Sequence, residues 1–158
     1  MKHNNERDSF MELLWDHSRE NSAMRKVRDA PPPPVLTATG DGLPTCNDSV
    51  TLWVGASEGR VVWARHAGYG CAVSQAGASL LCHHVQGVEL ERVVLLAGRA
   101  IVAAEGGDVS WEGTGLSGEA QDELSLYFRN VGLSKRKCAR LAWRVLIRAA
   151  KKTTSSSV

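Results

Sequence analysis

The chain has 158 residues, 43% of them apolar and 23% charged, the composition of one soluble globular domain rather than a disordered tail. Nineteen basic against seventeen acidic residues leave a net charge of +2, so the total charge selects no class of partner. No apolar run approaches the length of a membrane span, and residues 1–20 lack the uninterrupted apolar stretch of a signal peptide, so a cytoplasmic protein without membrane association is expected.

The first helix is signalled by Ser9 as N-cap with Glu12 three residues on, and by Phe10, Leu13, Leu14 and His17 at helical spacing up to about Glu20. Residues 1–8 are expected to be a disordered lead-in. Residues 22–34, which end in Pro31-Pro32-Pro33-Pro34, read as an extended, stiff linker. Strands follow at Val35–Thr39, closed by Gly40-Asp41-Gly42, at Ser49–Val54 and at Arg60–Ala67, the last two joined through the hairpin loop Gly55–Gly59. After Gly68-Tyr69-Gly70 the period becomes helical: Cys71–Gln86 with Gly87 as C-cap, then Val88–Ala104. Gly106–Gly118 is a glycine-rich loop, and Glu119–Asn130 a short helix. Ser134 is placed to cap a last helix, Lys135–Lys152, whose Cys138, Leu141, Ala142, Val145 and Ala149 share one face; residues 153–158 form a polar, frayed tail. Strands first and helices after predict one α+β domain over 1–152, a small three-stranded antiparallel sheet with helices packed on one face.

Three cysteines occupy comparable places. Cys46 stands in a loop entering a strand with Asp48 two residues on, Cys71 opens a helix, and Cys138 lies in the first turn of the last helix. A thiol at a helix N-terminus meets the positive end of the dipole and ionises more easily. Three thiolates and a carboxylate form a donor set that suits tetrahedral zinc. The competing reading is that cysteines are small buried hydrophobes, and no local Cys-x-x-Cys spacing decides between the two.

Sequence resemblance bears on that choice. Leu43-Pro44-Thr45-Cys46-Asn47-Asp48 resembles the N-P-x-C-G-D loop of the IscU/SufU/NifU family of iron–sulfur cluster assembly proteins. Ala67–Ser79 is similar to that family's G-x-G-C-x-x-S-x-A-S-A-S helix start, and Lys135–Trp143 to its closing R-x-K-C-A-x-L-A-W segment. Leu13-Leu14-Trp15-Asp16-His17 resembles its first helix, and the match runs from about residue 9 to residue 151. Lys137 stands where IscU-type proteins carry histidine, and the interval from Cys71 to Cys138 is long, as in the SufU-like branch. Asn47 replaces the glycine of C-G-D, and asparagine tolerates the left-handed backbone this turn needs. The resemblance implies a SufU/IscU-like sandwich and a sulfurtransferase-like role in iron–sulfur cluster biogenesis. It implies Zn2+ held by Cys46, Asp48, Cys71 and Cys138, with Cys46 accepting persulfide sulfur. The implied partners are a PLP-dependent, SufS-like cysteine desulfurase and downstream assembly proteins. Two alternatives remain: a scaffold assembling a transient [2Fe-2S] cluster on the same cysteines, and a structural zinc protein that docks an acidic partner.

Other signals carry less. Cys82-His83-His84 offers three ligands in a row, but neighbours on a helix diverge by about 100° and do not chelate one ion together. Gly113–Gly118 matches G-x-G-x-x-G but lacks the preceding strand of a dinucleotide fold, so a loop is expected. His3, His17 and His66 are isolated, and His17 is read as a packing residue. Residues 35–125 carry four basic and eleven acidic groups, whereas nine basic and no acidic groups follow Leu126. Arg136, Arg140, Arg144 and Arg148 recur along the last helix, a stripe that fits either a solvated face or an acidic partner. Nucleic acid is not favoured, because no base-reading aromatic constellation accompanies it.

Overall fold

A computed structural model describes residues 2–24, 36–42 and 47–156, with side chains described over 5–19, 36–42 and 47–152. Strands β1 (Leu36–Asp41), β2 (Ser49–Ser57) and β3 (Arg60–Tyr69) form an antiparallel sheet in the order β1-β2-β3. Alternation along β1 and β2 turns Leu36, Ala38, Val50, Leu52 and Val54 into the core, and a register shift between β2 and β3 lets both Val61 and Ala64 join them. Five helices complete the described fold: α1 (Lys2–Met24), α2 (Ala72–His84), α3 (Leu90–Ala104), α4 (Gly118–Asn130) and α5 (Arg136–Ser156). Helices α2 and α5 lie on the apolar face of the sheet, α3 packs on α5, and α1 packs on α2 and α4. This is the α+β arrangement that the order of strands and helices implies. Helix α5 is the central buried element: Trp143, Leu146 and Ala149 are fully enclosed, and each large side chain so buried contributes about 1.5–3 kcal/mol.

Several boundaries differ from the sequence expectation for physical reasons. Helix α1 already runs at Lys2, so residues 2–8 are helical. Ser9 is not a cap; its hydroxyl donates to the Asn5 carbonyl one turn back, 2.8 Å away. Glu6 explains the extra turns, because it accepts hydrogen bonds from Arg129 and Asn130 and ties this end to α4. The helix also continues past Glu20 to Met24, while Pro31–Pro34 lie outside the described residues. Ser134 sits exposed within a 3₁₀ turn, Leu133–Lys135, and makes no capping bond. Helix α5 extends beyond Lys152 to Ser156.

The hairpin differs most. Gly40 and Asp41 belong to β1, and β2 and β3 extend inward until only Glu58 and Gly59 turn the chain, with φ of 53° and 75°. Positive φ at both central residues matches the right-handed twist of the strands. Gly55 is a strand residue opposite Trp63, beside a register shift, and a Cβ there would run into the indole ring. Gly40 serves similarly, since α5 brings Val145 against its Cα. Sequence alone reads these glycines as turn formers; they are points of close approach.

The glycines predict a contrast in stability. Gly59 has a φ of 75° with open space around it, so Gly59→Ala should cost about 1 kcal/mol by thermal or urea unfolding. Gly68 has a φ of 144°, and a Cβ there would collide with the backbone carbonyl of Ser49. Gly68→Ala should therefore cost clearly more than Gly59→Ala, roughly 2 kcal/mol or above. Equal losses in the two variants would contradict the close-approach reading.

Candidate metal centre

The centre lies at one end of the sheet, where β2 begins, β3 ends and two helices start. Asn47 adopts φ of 52°, the left-handed turn that its side chain tolerates. The amide of Gly42 donates to the Asp48 carbonyl at 2.8 Å and closes the chain from β1 to β2. Asp48 is thereby carried inward and is only 3% exposed. A buried carboxylate needs hydrogen-bond donors, and Asp48 Oδ1 accepts the backbone N–H of Cys71 at 3.0 Å.

Cys71 is the N-cap residue of α2, in extended conformation, and its side chain makes no capping bond. Its Sγ stands 4.0 Å from Asp48 Oδ2. Cys138, in the first turn of α5, enters from the other side and is 3% exposed. One donor atom from each of Asp48, Cys71 and Cys138 lies within 4.8 Å of the others. Zinc–sulfur bonds of about 2.3 Å in a tetrahedron place neighbouring sulfurs about 3.8 Å apart, so the donor set fits such an ion with small adjustments. Cys46, the remaining sequence candidate, lies outside the described residues.

The surroundings disfavour charge on the Cys138 thiol. Burial, followed by the hydrogen-bonding neighbours Asp48 and Cys71, pushes the Cys138 thiol up. Tyr127 is fully buried and donates its hydroxyl to the Val73 carbonyl in the first turn of α2. Burial, then the nearby Cys71 and Cys138, raises its phenol well above the ordinary value. Nothing in the sequence distinguishes Tyr127 from a core aromatic, because its proximity to the thiols arises from the docking of α4. A side chain at Gly70 would strike both Ser74 and Asp48, so that glycine clears the space the carboxylate occupies.

The other candidates fall elsewhere. Cys82 is buried inside α2, its thiol pushed up by burial, and it is not part of the cluster. His17 is buried and hydrogen-bonds Ser79 at 2.8 Å, while His84 pairs with Glu123 across α2 and α4 at 2.7 Å. The G-x-G-x-x-G segment is a loop folded around Trp111, Thr114 and Leu116, with the Trp111 indole N–H donating to Ser125 at 2.9 Å. The arginine stripe is largely engaged within the chain. Arg136 lies over Gly106 and Arg140 pairs with Glu105 at 2.7 Å, both at the C-terminal end of α3, where cations are favoured. Arg148 donates to the Thr39 carbonyl on the free edge of β1 at 3.0 Å, which leaves Arg144 exposed.

Residues 16–157 match the sequence profile of the NifU-like N-terminal domain, and the chain belongs to that family. It is similar to the iron–sulfur cluster assembly scaffold protein IscU of Thermotoga maritima, 28% identical over 143 residues that cover 90% of this chain and 93% of the relative. Its fold resembles a crystal structure from Fervidobacterium islandicum assigned as a scaffold protein for the SUF system, FiSufU, with a TM-score of 0.66 and 21% identity over 88% of this chain and 94% of that one. It also resembles the N-terminal part of a nitrogen-fixing NifU-like protein from Brucella abortus, with a TM-score of 0.62 and 15% identity over 92% of this chain and 98% of that one. Among the described residues, no helix is long and apolar enough to cross a membrane.

Two outcomes are expected from metal titration. A protonated Cys138 thiol must lose its proton to bind, so loading should release protons and weaken as pH falls through neutrality. Cys71→Ser and Cys138→Ser should each lose most bound metal by elemental analysis, whereas Cys82→Ser should keep the wild-type stoichiometry.

Proposed function

We propose that the chain acts in iron–sulfur cluster assembly as a zinc-holding sulfur acceptor, working with a PLP-dependent cysteine desulfurase of the SufS type. The observation that carries this reading is the convergence of Asp48, Cys71 and Cys138, 90 residues apart in sequence from first to last, within 4.8 Å of one another. Two peptide units join Cys46 to Asp48, which keeps their Cα atoms within about 7 Å and makes Cys46 a feasible fourth ligand. Bound zinc would keep its thiol ligands ionised at neutral pH. The cysteines Cys71, Cys82 and Cys138 are free thiols, consistent with a reducing cytoplasmic setting.

In this reading Cys46 is the nucleophile. Its thiolate attacks the terminal sulfur of the partner's persulfide, the partner's S–S bond breaks, and the partner cysteine leaves as a thiolate. A new S–S bond forms on Cys46, so one persulfide replaces another with no net oxidation. Cys71 and Cys138 sit on helices, whereas Cys46 stands in the connection between β1 and β2, the better position for a residue that must reach a partner. Asp48 is the oxygen donor of the set, and a site otherwise built from thiolates would exchange it most readily.

A scaffold that assembles a [2Fe-2S] cluster on the same cysteines is the second reading, favoured by the naming of the Thermotoga maritima relative as a scaffold. Lys137 immediately before Cys138 favours the SufU-like reading, because IscU-type proteins carry a histidine ligand there. Elemental analysis of untreated protein separates the two. One zinc and a colourless protein support sulfur transfer; iron, sulfide and visible absorbance support the scaffold.

The cognate desulfurase provides the functional test. Cys46→Ala should abolish stimulation of alanine release, and mass spectrometry of the wild type after incubation with desulfurase and cysteine should place the added sulfur on Cys46. Asp48→Ala should retain more zinc than Cys71→Ala and still lose much of the stimulation. A persulfide on Cys138 with Cys46 unmodified would refute the assignment.

The basic helix should contribute through its exposed members. Arg144→Glu should weaken stimulation and flatten its salt dependence without changing the melting temperature. Arg140→Glu should also lower stability modestly, by under about 1 kcal/mol, because its partly exposed pair with Glu105 becomes repulsive.

A further inference from the structure

We propose that Gln75 is a positioning residue for the carboxylate ligand, acting through the single peptide unit that joins Gly70 to Cys71. This inference rests on the metal-holding reading of Asp48, Cys71 and Cys138. The Gln75 side-chain amide reaches back across the first turn of α2 and donates to the Gly70 carbonyl at 2.8 Å. The N–H at the other end of that same peptide is the Cys71 amide, which donates to Asp48 Oδ1 at 3.0 Å. Gln75 therefore grips the carbonyl end, and Asp48 the amide end, of one planar unit.

Two consequences follow from elementary electrostatics. Donation to the carbonyl polarises the peptide and strengthens the N–H as a donor, so the two hydrogen bonds reinforce each other. The plane also cannot rotate without breaking both bonds. Asp48 is thus held by Oδ1, which leaves Oδ2, 4.0 Å from the Cys71 sulfur, on the side of the thiols. The carboxylate is presented through one oxygen.

The local sequence makes this arrangement possible. The N-cap Cys71 makes no side-chain capping bond, so its thiol stays available; Asp48 accepts the N–H of this N-cap residue, and Gln75 satisfies the carbonyl just before it. The Gln75 backbone N–H donates to the Cys71 carbonyl at 3.1 Å, and the Ser74 hydroxyl donates to that carbonyl at 3.2 Å. These bonds fix the turn from which the Gln75 side chain folds back. Gly70, with no Cβ, lets the carboxylate approach that closely.

The test is metal release, measured as transfer of zinc to an excess of chromophoric chelator from wild type, Gln75→Met, Asp48→Ala and the double variant. Loss of an outer-shell partner should speed release by about tenfold or more in Gln75→Met. In the Asp48→Ala background the same substitution should change the rate by less than about twofold, because the path it acts through is gone. The Co(II)-loaded Gln75→Met variant should show a shifted visible ligand-field band. Gln75→Leu serves the same comparison if Gln75→Met does not fold. Unchanged release in Gln75→Met, or the same acceleration in both backgrounds, would overturn the role of Gln75 while leaving the metal site intact. A wild-type chain that takes up neither zinc nor cobalt would overturn the metal reading itself, and this inference with it.

Discussion

A carboxylate that is 3% exposed must be met by hydrogen-bond donors, and the donor that meets Asp48 is the amide opening α2. That bond joins the residue just before β2 to the junction of β3 and α2, 23 residues apart in sequence. Much of the local design follows from it. Asn47 takes a left-handed turn to deliver the carboxylate, the Gly42 amide closes the loop behind it, and Gly70 leaves room in front. The thiol of Cys71 is then carried to the same place by the helix that Asp48 anchors.

The resulting cluster is costly without a cation. Two sulfurs and a carboxylate within 4.8 Å cannot all be ionised in a buried setting, and the Cys138 thiol is held protonated by burial and by its neighbours. A bound metal would relieve this by replacing protons with one cation shared among all donors, and metal affinity and folding stability would then be linked quantities. Tyr127 lies fully buried near the two thiols, with its hydroxyl satisfied by the Val73 carbonyl. Asp48 and Cys138 are buried, and Cys71 is the half-buried member of the cluster.

The basic helix illustrates how packing reassigns residues. Four arginines at every fourth position form a stripe in sequence, yet three of them meet the chain itself. Arg136 and Arg140 oppose the negative end of the α3 dipole, beside Glu105. Arg148 covers a carbonyl on the open edge of β1, which also discourages pairing with a foreign strand. What remains for a partner is a narrower feature around Arg144, with Lys137 exposed near Cys138.

Periodicity and composition made the order of strands and helices legible, and with it the α+β class, because amphipathic patterns are local consequences of which face must leave water. The apolar face of α5, the helical placement of Cys71 and Cys138, and the tolerance of Asn47 for a left-handed turn were all readable residue by residue. Glycine roles were not: Gly40 and Gly55 are strand residues that admit Val145 and Trp63, and a sequence does not reveal which distant side chain will press on a backbone. The start of α1 was likewise set by the tertiary bond from Glu6 to Arg129, not by the local capping signal at Ser9. Proximity was the largest quantity left to the fold. Residue order alone was enough to place Cys71 and Cys138 at helix starts and Asp48 just before a strand. Only the docking of α2 and α5 at one end of the sheet decided that Asp48, Cys71 and Cys138 meet while Cys82 stays apart, because contacts between distant segments depend on how whole faces pack.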